Sequence, residues 1–80
     1  MKCFLATMEV EVLIVAEDKE EAERKSAEAF RAEVASMWCY DASSIELARY
    51  IPADWDQDSL VYGTTSDVTA AEALKLNGPV

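Results

Sequence analysis

Histidine is absent from this 80-residue chain. Its absence excludes the Ser-His and Cys-His pairings that activate most protein nucleophiles. Carboxylate pairs could still perform acid–base chemistry, but with 16 Asp and Glu residues on so short a chain, crowding alone brings some of them together. The sequence therefore predicts a protein that is not an enzyme, with no catalytic residue and no cofactor.

Cysteine and long apolar runs are also scarce. Cys3 and Cys39 stand 36 positions apart without a CxxC partner, which is neither a zinc nor a redox signature. We expect two reduced, buried thiols, although the sequence leaves a pairing of the two open. The longest apolar run, Val12 to Ala16, has five residues, against roughly 20 needed to cross a bilayer. No basic segment leading into an apolar one opens the chain, so we expect a cytoplasmic protein without a membrane partner.

Basic residues are few: seven Lys and Arg face the 16 acids, which gives a net charge of −9. Such a surface repels nucleic acid and anionic membranes and attracts cationic protein surfaces. A hydrophobic fraction of 51% is too high for a disordered acidic tail. The chain is therefore expected to fold as one small domain, residues 1–80, that binds a basic protein surface and makes no direct contact with nucleic acid.

The residue pattern predicts an α+β fold. Apolar residues alternate through Lys2–Ala16, which is typical of one half-buried strand. Asp18 and Glu21 form a helix-start pattern, and the helix is expected to run from Lys19 to about Ala35. The pairs Glu20 with Arg24 and Glu21 with Lys25 stand at i,i+4 on its outer side.

The second half of the chain completes the predicted order β-α-β-β-α. Ile45–Ile51 alternates and ends at Pro52, and Leu60–Tyr62 is a third short strand. A capping box at Thr69 opens a short helix, Ala70–Lys75. We expect a small antiparallel sheet of about three strands, with one long and one short helix packed on one face. Met37–Tyr40 is an apolar cluster at the exit of the long helix.

The spacing D-x-D-x-D of Asp54, Asp56 and Asp58 matches the first three ligands of a calcium loop. The match is incomplete, because Ser59 stands where the loop requires glycine and Thr65 where it requires a bidentate Glu. A cation-binding module stays open as an alternative, but we expect no metal. The other interpretations are a solvated acidic turn, or a row of carboxylates that mimics phosphates.

Charge by region points to the candidate binding residues. Residues 17–34 hold seven acids and four bases, whereas residues 35–80 hold seven acids and two bases. Acids at the start of a helix complement its dipole, but Glu9 and Glu11, on the open face of a strand, have no such local role. Trp55 is either part of the core or an exposed interface anchor. The predicted protein-binding residues are Glu9, Glu11, Asp54, Trp55, Asp56 and Asp58.

The chain resembles the small phage-encoded anti-CRISPR proteins, including those that act on type I-C systems. The resemblance lies in the overall character of the segments MKCFLATMEVEVLIVA, EDKEEAERKSAEAFRAEV, IPADWDQDSLVYG and SDVTAAEAL, with their acidity and lack of catalytic residues. It implies a stoichiometric inhibitor that binds the crRNA-guided Cascade complex and blocks binding of target DNA. The PAM-reading and duplex-holding surfaces of such complexes are basic, which suits an acidic DNA mimic.

A different class of function stays open beside this one. A small accessory subunit or homo-oligomer would use Trp38, Tyr40 and Trp55 as an apolar packing interface. The sequence leaves the oligomeric state open, and we favour a monomer.

Overall fold

A computed structural model describes residues 1–34 and 41–78. Its elements are two strands, a long helix, a third strand and a short helix: β1 Lys2–Thr7, β2 Glu11–Ala16, α1 Lys19–Glu33, β3 Ser44–Leu47 and α2 Ala70–Lys75. The strands form one antiparallel sheet in the order β2-β1-β3. The predicted α+β class, with about three strands, one long and one short helix, is confirmed, and the element order becomes β-β-α-β-α.

The predicted first strand, Lys2–Ala16, is in fact a hairpin. The chain reverses between β1 and β2, where the Met8 N–H donates to the Val10 carbonyl oxygen at 3.0 Å. A single strand of this length would extend about 50 Å at 3.3 Å per residue, longer than the 36 Å longest dimension of the molecule. The reversal keeps the face of every residue, because Phe4 pairs with Ile14 and Leu5 with Leu13.

Helix α1 covers the face of the sheet that carries the even-numbered hairpin residues. Asp18 caps it as predicted, accepting the Glu21 N–H at 2.8 Å. The helix ends at Glu33, two residues before the predicted end, with Val34 as its C-cap. The buried side chains of α1 are Ala22, Ser26, Ala29 and Phe30. Because all but Phe30 are small, the helix lies close to the sheet.

Helix α2 lies on the opposite face, so the expectation that both helices share one face is wrong. Its bounds and its capping box at Thr69 are as predicted. Ala70 and Ala73 pack against the odd-numbered hairpin residues in a second core cluster. The odd-numbered hairpin residues are apolar, like the even-numbered ones, and Cys3, Leu5, Leu13 and Val15 are all buried. Because both faces of the hairpin are apolar, each face is covered by a helix. No helix in the described part of the chain has the length and apolar character needed to span a bilayer.

The two other predicted strands are shorter than expected. β3 ends at Leu47, after which exposed Arg49 and Tyr50 lead the chain away from the sheet. Leu60–Tyr62 makes only isolated bridges, one of them between Tyr62 and Ile14 on the outer edge of β2. The predicted cluster Met37–Tyr40, with Cys39, lies outside the described residues. Cys3 is a free, buried thiol, and burial raises its pKa to about 11.

Candidate functional site

An acidic cleft lies where the hairpin turn, the end of α1 and the loop after β3 meet. Its volume is about 180 Å³. Four of the six predicted binding residues line it: Glu9, Glu11, Asp54 and Trp55. The rest of the lining is Glu33 and three apolar residues, Val10, Pro52 and Ala53. The fold thus brings together carboxylates from three separate parts of the sequence.

The hairpin supplies the first two carboxylates. Glu9 is exposed at the turn, and Glu11 opens β2 opposite Thr7. Glu11 accepts a hydrogen bond from the Tyr50 hydroxyl, so it is half-buried rather than fully solvated. This bond to a carboxylate raises the pKa of Tyr50 above its ordinary value. Tyr50 therefore fixes the position of Glu11 at the mouth of the cleft.

The loop after β3 supplies Asp54 and Trp55. A turn closes it, with the Trp55 N–H donating to the carbonyl oxygen of buried Pro52 at 3.0 Å. The indole is half-buried, packs against both core clusters, and lies 6.1 Å from the Tyr62 ring between centroids. Trp55 is thus anchored in the fold and presents only part of its surface to the cleft. Asp54 stays exposed beside it.

Glu33 is a cleft residue that the sequence interpretation missed. It lies in the last turn of α1 and accepts a 2.6 Å hydrogen bond from the Tyr62 hydroxyl. Burial, followed by this hydrogen bond, raises the pKa of Tyr62 to about 12. An acid in the last turn of a helix opposes the helix dipole, so Glu33 carried a signal that sequence reading could have used.

The acidic cleft differs from the acidic start of α1 in its balance of charge. Three ion pairs occur within the described ranges, and all lie near that helix start: Met1 with Glu17, Arg24 with Glu21 and Lys25 with Glu21. Arg24 thus pairs with Glu21 and not with Glu20 as predicted. Among the described residues, none that lines the cleft is basic. For Glu9 and Asp54, residues 1–34 and 41–78 provide neither an ion pair nor a side-chain hydrogen bond.

Asp56 and Asp58 lie outside the acidic cleft. The Asp56 carboxylate accepts the Asp58 N–H at 2.9 Å and the Ser59 hydroxyl at 3.3 Å, which organises the turn locally. Within the described residues, no group of three or more Asp, Glu, Cys or His side chains is arranged to hold a metal ion. The calcium interpretation of this loop therefore gains no support from its geometry.

A larger cavity, of about 520 Å³, lies between α1 and the segment after Tyr62. Lys25 is its basic residue, but the ammonium already donates to Glu21 Oε1 and to the Gly63 carbonyl oxygen, both at 2.8 Å. This cavity is a groove around a structural lysine. The acidic cleft, in contrast, brings four carboxylates into one concavity, and none of them takes part in an ion pair within the described residues.

No protein-family model matches the chain, and neither a curated protein nor a solved structure is similar to it. The resemblance to anti-CRISPR proteins thus remains a prediction from sequence character.

Proposed function

We propose that this protein is an acidic inhibitor of the anti-CRISPR kind, acting in the cytoplasm of a bacterial host. It binds the basic DNA- and PAM-binding surface of a Cascade-type surveillance complex and so excludes target DNA. The observation that carries the proposal is the acidic cleft, where four carboxylates converge and where, in the part of the chain that the structure describes, no lining residue is basic.

The electrostatics of the cleft suit a cationic partner. Bringing Glu9, Glu11, Glu33 and Asp54 together concentrates negative potential in one concave place, which steers a basic surface and fixes its orientation. An Arg or Lys of the partner that enters the cleft can pair with Glu9 or Asp54. Those two carboxylates therefore contribute most to the proposed binding.

Trp55 gives the cleft a second means of holding a cation. An Arg or Lys side chain over an indole face gains roughly 0.5 to 2 kcal/mol from the ring quadrupole. Because Trp55 is held by Pro52 and the Tyr62 ring, it loses little conformational freedom on binding.

A DNA-competition experiment tests this function. Purified Cascade is incubated with the protein and then with labelled target duplex, and in the reverse order, at several salt concentrations. We expect each ligand to exclude the other, and the affinity of the protein to fall steeply with salt, as it does for other contacts to a phosphate-binding surface. A ternary complex with DNA, or binding that ignores salt, would contradict the proposal.

A further inference from the structure

Asn77, two residues after the end of α2, connects this helix to the middle strand of the sheet. The Asn77 side chain accepts the Cys3 N–H at 2.8 Å through Oδ1 and donates through Nδ2 to the Cys3 carbonyl oxygen at 2.8 Å. The same Nδ2 donates to the Ala48 carbonyl oxygen at 3.0 Å. One side-chain amide thus joins α2 to β1 and to the end of β3.

This amide is followed by glycine, and Asn-Gly is the sequence in which an asparagine most readily deamidates. The Gly78 backbone nitrogen attacks the Asn77 side-chain carbonyl carbon, and the amide nitrogen leaves as ammonia with the proton of the Gly78 nitrogen. Water then opens the resulting cyclic imide to aspartate or isoaspartate. Glycine offers no side chain to obstruct ring closure, and the space around Gly78 is open.

We propose that Asn77 is a deamidation site which the fold holds in check, and whose reaction releases α2 from the sheet. Ring closure requires the Asn77 side chain to leave all three hydrogen bonds. The attacking nitrogen is also engaged, because the Gly78 N–H donates to the Lys75 carbonyl oxygen at 3.1 Å. Reaction therefore proceeds through local opening of the α2 end.

The product cannot remake the same contacts. A carboxylate has no hydrogen to donate, so its oxygen faces the carbonyl oxygens of Cys3 and Ala48 without a proton between them. An unpaired acceptor of this kind destabilises a partly buried contact. Helix α2 packs on the sheet through buried Ala70 and Ala73 and half-buried Leu74, and backbone hydrogen bonds to Ser59 and Gln57 hold its start. The Asn77 contacts hold its other end, so their loss should loosen α2 from that end.

Deamidation rates test the protection. The full chain is incubated at mildly alkaline pH, folded or in denaturing urea, and peptide mapping by mass spectrometry follows residue 77. Asn77 is the only asparagine of the chain, so the signal has one source. We expect the folded protein to react at least about tenfold more slowly, since reaction waits for local opening. Equal rates would overturn the proposal, as would a Gly78→Ala chain that reacts in urea as fast as the wild type.

A matched pair of variants tests the release. Asn77→Asp and Gln57→Glu each replace an amide with a carboxylate, but Gln57 is exposed on a loop. We expect Asn77→Asp to lower the melting temperature by several degrees and to speed hydrogen exchange in Ala70–Lys75, and Gln57→Glu to do neither. Equal behaviour of the two variants would contradict the release. Should Asn77→Asp not fold, aged wild-type protein gives the same comparison, since deamidated molecules should exchange faster in α2 than intact ones.

Discussion

The Lys25 ammonium donates a 2.8 Å hydrogen bond to the Gly63 carbonyl oxygen, 38 positions along the chain. The same nitrogen donates to Glu21 Oε1 at 2.8 Å, and this bond is the main reason that the pKa of Glu21 is lowered. Lys25 thereby ties the segment that covers the edge of β2 to α1. That segment carries Tyr62, which in turn holds Glu33 and Trp55 at the acidic cleft.

Replacing Lys25 with Met should destabilise the fold by about 1 to 2 kcal/mol. The estimate is for loss of a charge-assisted hydrogen bond at a side chain that is 28% exposed. Chemical denaturation measures the change. Arg24→Met is the control, because Arg24 is 74% exposed and lies 3.7 Å from the same Glu21 carboxylate; its effect should stay within about 0.5 kcal/mol. Equal losses in the two variants would show that the bond to Gly63 contributes nothing.

Gly63→Ala should be strongly destabilising. Gly63 has φ +91°, and an added Cβ would lie 2.3 Å from the Val15 carbonyl oxygen. Left-handed strain alone costs about 1 to 3 kcal/mol, and the clash forces the backbone to move as well. Gly78→Ala provides the comparison, since Gly78 has φ +78° and open space around it. A thermal melt in which Gly78→Ala loses as much stability as Gly63→Ala would refute the close approach to Val15.

Stability should fall as pH rises from about 10 to 12, and the titration of Tyr62 should account for part of the fall, beside those of Cys3 and Tyr50, whose pKa values are also raised. The pKa of Tyr62 is raised from 10.0 to about 12 in the folded protein. Between these two values Tyr62 is protonated in the folded protein and ionised in the unfolded chain. Its contribution to the free energy of unfolding is therefore fully present below about pH 10 and is lost as the pH rises to about 12. Denaturant melts across this range measure the loss. Tyr62→Phe should show a smaller loss, whereas an unchanged pH profile would count against Tyr62 as the source.

Local signals allowed several elements to be predicted from the sequence. The caps at Asp18 and Thr69 depend on residues three positions apart, and both helix starts were correct. The alternation of Phe4 through Ile14 gave the correct faces even though the hairpin turn was missed. The turn at Glu9 lacks the glycine or asparagine that commonly marks one, which explains the error.

Contacts between distant residues could not be predicted in the same way. The bonds of Asn77 to Cys3 and of Lys25 to Gly63 join residues 74 and 38 positions apart, and nothing in their local sequence specifies the partner. The acidic cleft contains residues that could be predicted from the sequence and one that could not. Glu9, Glu11, Asp54 and Trp55 were chosen for their charge or ring, whereas Glu33 joins them only because of where α1 ends.

Two charge-matched double variants test the central claim, that the acidic cleft binds the DNA-binding surface of Cascade. Glu9→Lys with Asp54→Lys reverses the two unpaired cleft carboxylates, and Glu20→Lys with Glu28→Lys reverses two exposed carboxylates of α1. Both proteins carry the same net charge, so a difference between them reports position. The affinity for Cascade is measured at fixed salt, with circular dichroism and melting to confirm that both variants fold.

We expect the cleft variant to bind at least about tenfold more weakly than the wild type, since each desolvated charge pair is worth roughly 1 to 3 kcal/mol. The α1 variant should bind clearly better than the cleft variant and lose only the general attraction of the net charge. Equal weakening of the two variants, or greater damage from the α1 reversals, would contradict the assignment of the acidic cleft as the binding surface.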